Sequence, residues 1–296
     1  MFIDSFIGFL KVERNCSPQT VRAYENDIGS FRDFLARTDE SLSFLDADSD
    51  LVRAWVAQMM DGGAAPSTVS RKMSSLRAFY KYLCSEGYAV SNPLQRLQGP
   101  KCRRRLPAFV KEHEMDALLA ENGSAESYGA LRDRMILLCF YSAGLRLSEL
   151  VGLDVGSVDF GSMAIKVFGK RSRERLVPFG EEMRAALETY IGSRNSFASS
   201  SSGALFLSSR GVRISRSSVY RLVNSSLAGF TSLEKRSPHV LRHSFATAML
   251  NNEAELGAVK ELLGHRRLAT TEIYTHLTFE ELKRFYNKAH PRAGNN

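Results

Sequence analysis

A chain of 296 residues, 44% hydrophobic and 24% charged, is long enough for two domains with separate cores and too evenly mixed for a disordered or fibrous protein. Its formal net charge of +8 favours a polyanionic partner, and no apolar run approaches membrane-spanning length. Cys16, Cys84, Cys102 and Cys139 are scattered with no C-x-x-C pair, which suits reduced thiols in the cytoplasm better than a disulfide frame or a zinc knuckle.

The opening stretch MFIDSFIGFLKVERN carries Asp4 among its apolar positions and lacks a basic leader or a small-residue cleavage site. It is expected to be an amphipathic helix and not a signal peptide. Ser17 and Pro18 have the form of a cap and a first-turn proline, and Val21, Tyr24, Ile28, Phe31 and Phe34 follow at helical spacing. LVRAWVAQMM repeats the pattern and DGGAAPST breaks it. Ser67 and Thr68 are expected to open a further helix that buries Val69, Met73, Leu76, Phe79, Tyr80 and Leu83, with Arg71, Lys72, Arg77 and Lys81 mostly pointing away. Residues 1–92 therefore read as a small helical bundle. In NPLQRLQGPKCRRRLPAF, three prolines, a glycine and the run Arg103 to Arg105 forbid one continuous helix. Residues 93–107 are expected as an extended basic linker suited to tracking a phosphate backbone.

From residue 108 onward the texture is mixed. KEHEMDALLAE and LRDRMILLCFYSAG have helical character. In SMAIKVFG, Met163, Ile165 and Val167 alternate with Ala164, Lys166 and Phe168, and a turn GKRSR leads into ERLVPF, which predicts a β-hairpin. GALFLS, after a Ser-rich loop, is a candidate third strand, and the remainder is helical. The whole is mainly α, with a small antiparallel sheet confined to the second half.

Five places in that half carry suggestive chemistry. Arg146 follows Gly144, a helix-end signal, with Ser148 and Glu149 opening a new element; Lys170 sits at the hairpin tip; Gly264 ends a helix just before His265; and Tyr274 lies one turn after the candidate caps Thr270 and Thr271. The fifth is SPHVLRHSFAT. Ser237 and Pro238 predict a helix start, Leu241, Phe245, Ala248 and Met249 form a core stripe, and His239, Arg242 and His243 stay off it. Two histidines four apart can hold zinc. Arg242 argues against a cation there, since its planar fork suits a phosphate, and Val240 stands where a zinc protease would carry its glutamate.

Taken singly, each of these residues has an ordinary structural explanation; their joint order is specific. GLRLSEL, GKRSRERLVP, SPHVLRHSFAT and LLGHRRLATTEIYTH together resemble the tyrosine recombinase (phage integrase) family. SPQTVRAYENDI is similar to the start of that family's core-binding domain, and the tail AHPRA leans toward its Xer branch. The resemblance implies a SAM-like core-binding domain followed by an α+β catalytic domain of the DNA breaking-rejoining fold over 108–296. It implies Tyr274 as nucleophile, Arg146 and Arg242 as phosphate clamps, Lys170 as acid for the leaving group, His239 as assisting base and His265 as a further phosphate donor. His243 receives no role, and no metal or cofactor is implied. Arg171 follows Lys170 where relatives commonly carry glycine, which leaves the turn shape open.

The implied activity is site-specific strand exchange on double-stranded DNA through a 3′-phosphotyrosyl intermediate, by four protomers on two sites, with resolution of chromosome dimers at cell division following from the Xer likeness. An integrase of a mobile element, a type IB topoisomerase-like enzyme and a catalytically silent DNA-binding protein remain as alternatives. Also open are the need for a second Xer-type recombinase or an activating FtsK-like translocase, and whether Phe279, Leu282, Phe285 and Tyr286, which share a helical face, dock on a neighbour or on their own domain.

Overall fold

Ser17 caps its helix as its position predicts: Oγ accepts the Thr20 N–H at 3.3 Å and Pro18 takes the first helical position. Three further helices join this one, α2 (Pro18–Thr38), in the N-terminal half: α1 (Phe2–Val12), α3 (Ser49–Asp61) and α4 (Pro66–Ser85). The last starts slightly earlier than expected. Ala65 is extended and makes no side-chain cap, and Pro66, with its φ already helical, begins the first turn in place of Ser67 and Thr68.

The computed structural model describes residues 1–102, 108–121, 127–169, 174–197, 202–264 and 277–293. It divides into two compact units, Met1–Arg105 and Leu106–Asn296. No helix among the described residues is long and apolar enough to cross a membrane.

In the first unit Phe6, Ile28, Phe31, Trp55, Leu76, Phe79 and Leu83 form the core, with Trp55 edge-on to Phe31 at 5.0 Å. Asp27, buried on α2, is satisfied from α4 by Arg71 and by Ser75 Oγ at 2.7 Å. Arg77 donates to the Leu97 carbonyl at 2.9 Å and Leu94 is fully buried, so the start of the expected linker segment packs on the bundle. The run Arg103 to Arg105 lies outside the described residues.

The second unit is built around α6 (Tyr128–Ser142), whose residues from Met135 to Ser142 are all buried. A helix apolar on every side must be enclosed, and α5 (Glu112–Glu121), α8 (Glu181–Phe197), α9 (Arg216–Ala228) and α10 (Pro238–Asn251) pack against it. Short α7 (Leu147–Gly152) precedes an antiparallel sheet ordered β1 (Val158–Asp159), β2 (Ala164–Phe168), β3 (Glu174–Pro178). The hairpin is in the expected place, with Ile165 opposite Val177 and Val167 opposite Arg175.

The third strand is not GALFLS. Leu205 and Phe206 are buried there, but the backbone partners are loop residues: Leu205 N–H donates to the Leu153 carbonyl at 2.9 Å, and the Phe206 carbonyl accepts from Ile214 at 3.0 Å. Isolated bridges form instead of a ladder, and Val158–Asp159 completes the sheet.

The chain closes with α11 (Leu256–Leu263) and α12 (Phe279–Ala289). Leu282, Tyr286 and Ala289 of α12 pack in one apolar cluster with Phe245, Met249 and Leu262, so this face is seated on its own unit. The tail is fitted closely behind it. Arg292 pairs with Glu182 and Asp116, and a Cβ on Gly180 would collide with the Ala293 backbone.

Candidate active site

The site begins where α6 ends. Gly144 adopts φ +56°, and a Cβ there would meet the Phe245 ring at 2.6 Å, so only glycine turns the chain tightly enough against α10. Two residues later Arg146 occupies the cap position of α7 in extended conformation. Glu149, at the third helical position, accepts the Arg146 N–H on Oε2 at 2.8 Å and the Arg146 guanidinium on Oε1 at 2.7 Å.

A second guanidinium grips the same carboxylate. Arg175 of β3 donates from Nη1 to Oε1 at 2.6 Å and from Nη2 to Oε2 at 3.0 Å. Glu149 therefore receives two bonds on each oxygen, and its side chain is 2% exposed. Burial alone pushes this carboxyl up; the bonds and charge of Arg175, followed by those of Arg146, overcome it and hold it down to about 2.

Arg242 comes in from α10 and is buried, not on the polar edge expected for it. Its guanidinium meets the carbonyls of Gly144 and Leu263, with Glu149 Oε2 at 3.9 Å. Burial first, then Arg146 and Arg175, lower it to about 10, with Glu149 opposing, so it remains a cation at neutral pH. The helix start itself departs from expectation. Ser237 occupies the cap position before Pro238, yet its buried Oγ finds no partner among the described residues.

Three successive carbonyls at the end of α11 are bonded by three different arginines: Leu262 by Arg175 Nε at 3.1 Å, Leu263 by Arg242, and Gly264 by Arg146 Nη2 at 2.8 Å. A helix C-terminus presents carbonyls without partners and a partial negative charge, so guanidinium groups fit there. Gly264, at φ +63°, ends the helix as its position in VKELLGH predicts. His239 stands exposed in the first turn of α10 and His243 is half-buried. Lys170, His265 and Tyr274 lie outside the described residues, as do Arg171 and the caps Thr270 and Thr271.

Of the described candidates, the fold brings Arg146 and Arg242 together around Glu149. Glu149 and Arg175 have no part in the site inferred from sequence. A signal for each is present: Glu149 stands three residues after Arg146, the capping-box spacing, and Arg175 shares the inward face of β3 with buried Val177. Three guanidinium groups and one carboxylate leave a net charge of +2. A phosphodiester gains a second negative charge in its five-coordinate transition state, so the balance favours that state over the ground state.

The phage integrase family model matches residues 108–281, and the model for the phage integrase N-terminal SAM-like domain matches residues 3–87. The chain is 41% identical over 301 aligned positions to tyrosine recombinase XerC of Pelotomaculum thermopropionicum, covering 98% of each. It is 39% identical to tyrosine recombinase XerC of Pelobacter propionicus, covering 98% of this chain and 95% of the relative. Among solved structures, XerH site-specific recombinase bound to its palindromic difH substrate superposes with a TM-score of 0.72 at 21% identity, covering 93% of this chain and 81% of that one. The Tn1549 transposon integrase with circular intermediate DNA gives 0.72 at 19%, covering 96% and 98%. These two likenesses establish the fold, a helical SAM-like domain followed by a catalytic domain with a small antiparallel sheet.

Proposed function

Since the chain belongs to the phage integrase family, we propose that it cuts and rejoins duplex DNA at specific sites through a 3′-phosphotyrosyl intermediate on Tyr274. The Tyr274 oxygen attacks phosphorus, the bond to the 5′ oxygen breaks, and the 3′ end stays on the enzyme. A phenol has a pKa near 10, so His239 takes its proton while Lys170 protonates the departing 5′ oxygen, each contributing roughly 10²–10⁴-fold in rate. Arg146 and Arg242, with His265, neutralise the transition state; losing one such donor should cost about 3–4 kcal/mol. In the second half a 5′ hydroxyl of the other duplex attacks the phosphotyrosine and expels the phenol. The phosphodiester bond energy is kept on Tyr274, so no nucleotide is hydrolysed.

The observation that carries this reading is the net-positive cluster at the end of α11, one residue before His265 in the chain. Four protomers would act on two sites, each cutting one strand. We further assign a role in resolving chromosome dimers at cell division, supported by 39–41% identity to XerC relatives of which 95–98% is covered. A second Xer-type recombinase and an FtsK-like translocase are the partners that this role calls for.

Strand exchange between two duplexes carrying the source chromosome's terminus site, with and without the second recombinase, tests the assignment. Recombinant products that need the site are expected. Relaxation of a plasmid lacking any such site would instead indicate a topoisomerase-like enzyme.

A further inference from the structure

The proposed chemistry gives Arg175 no task, yet it is among the most heavily bonded side chains of the site. It sits 16% exposed on β3 and spans two structures that the reaction needs aligned. Both oxygens of Glu149 take its terminal nitrogens in parallel, a bidentate pairing, and its Nε holds the Leu262 carbonyl at 3.1 Å. Glu149 in turn fixes both the backbone and the guanidinium of Arg146, and Leu262 lies two residues before Gly264, where that guanidinium ends. Without Arg175, the Glu149 carboxylate keeps, among the described cations, Arg146 and the more distant Arg242.

We propose that Arg175 is a positioning residue for DNA cleavage, acting through Glu149 and the end of α11 to set the direction of the Arg146 and Arg242 guanidinium groups at the scissile phosphate. This rests on the reading of those two arginines as phosphate clamps. Arg175 stays behind them, its Nε and both terminal nitrogens engaged by protein oxygens, and contributes geometry to the transition state.

The test is single-turnover cleavage by the full chain at saturating protein, with the second recombinase present as a variant whose own nucleophilic tyrosine is replaced by phenylalanine, on a nicked duplex carrying the source chromosome's terminus site. Wild type, Arg175→Gln, Arg175→Lys and Tyr274→Phe are compared, with DNA affinity and thermal midpoint measured in parallel. Arg175→Gln should slow cleavage about 10²-fold, as expected for misplacement of a reacting group by an ångström, at unchanged affinity. Its rate relative to wild type should fall further as the buffer is made mildly acidic. Among the described residues the charged groups facing Glu149 are Arg146 on its own helix, Arg175 on β3 and Arg242 on α10, so removing one lets the carboxylate take up a proton more easily. Arg175→Lys should abolish the acidic dependence by restoring charge and remain slow, because one ammonium cannot serve three acceptors in a plane. Cleavage by both variants within threefold of wild type overturns the proposal. So does a rate loss matched by lost affinity or a collapsed midpoint. Absence of a wild-type adduct, or an adduct in Tyr274→Phe, would strike at the cleavage reading itself and not at Arg175.

Discussion

At the scale of single residues, Gly144 shows how tightly the site is framed. An alanine there must adopt φ +56° and push a methyl group into Phe245, two penalties that together should destabilise the protein by about 2–4 kcal/mol. Urea unfolding of Gly144→Ala measures it; a loss under about 0.5 kcal/mol, within the range of an ordinary surface substitution, would contradict the packing described. The family resemblance named Arg146 and Arg242 together, and the fold brings both to Glu149. Glu149 and Arg175 were not readable from sequence, because their meaning depends on partners brought close only by folding. Arg175 meets Glu149 from 26 residues away and the Leu262 carbonyl from 87. Burial of Arg242 was hidden for the same reason: its acceptors lie 98 and 21 residues distant in the chain.

At the scale of elements, helices were the most legible. Apolar spacing and the Ser17–Pro18 start located α2, but cap residues were less dependable, since Pro66 displaced Ser67 and Thr68 and Ser237 makes no bond. The third strand was misplaced because an apolar run in GALFLS signals burial, and burial does not distinguish a ladder from a loop.

The C-terminal element carries its own pH dependence. His290 lies against Tyr141, Phe245 and Tyr286 with its Nδ1 accepting the Arg292 N–H at 3.1 Å, so Nε2 bears the proton and faces the Tyr141 carbonyl. Burial lowers it to about 4 from 6.5. The unfolded chain therefore binds the proton first. Stability from neutral His290 is present above pH 6.5 and is lost as pH falls toward 4, on the order of 3 kcal/mol over the window. Urea midpoints taken across that range should fall in wild type and fall less in His290→Gln. Parallel pH profiles would exclude His290 as the titrating group.

At the scale of the whole molecule, two units each enclose their own apolar cluster. Alternating strand patterns occur in the sequence only after residue 108, and every described strand lies in the second unit. Residues 1–105 alone should unfold cooperatively as a helical domain in circular dichroism. A broad, non-cooperative melt would mean that its core depends on the second unit. DNA affinity of the full chain should drop steeply with salt, equally in wild type and Tyr274→Phe, because phosphate contacts set that dependence.

The central claim is that this basic, metal-independent site attaches DNA to Tyr274. The measurement that tests it most directly incubates the protein, with the second recombinase present as a variant whose own nucleophilic tyrosine is replaced by phenylalanine, on a labelled nicked duplex from which the cleaved end can diffuse. EDTA is present throughout the incubation, which ends with denaturation in SDS. The account predicts a protein–DNA adduct that forms in EDTA and is lost in Tyr274→Phe. Specific binding with no adduct from the wild type, or an adduct that survives in Tyr274→Phe, would contradict it.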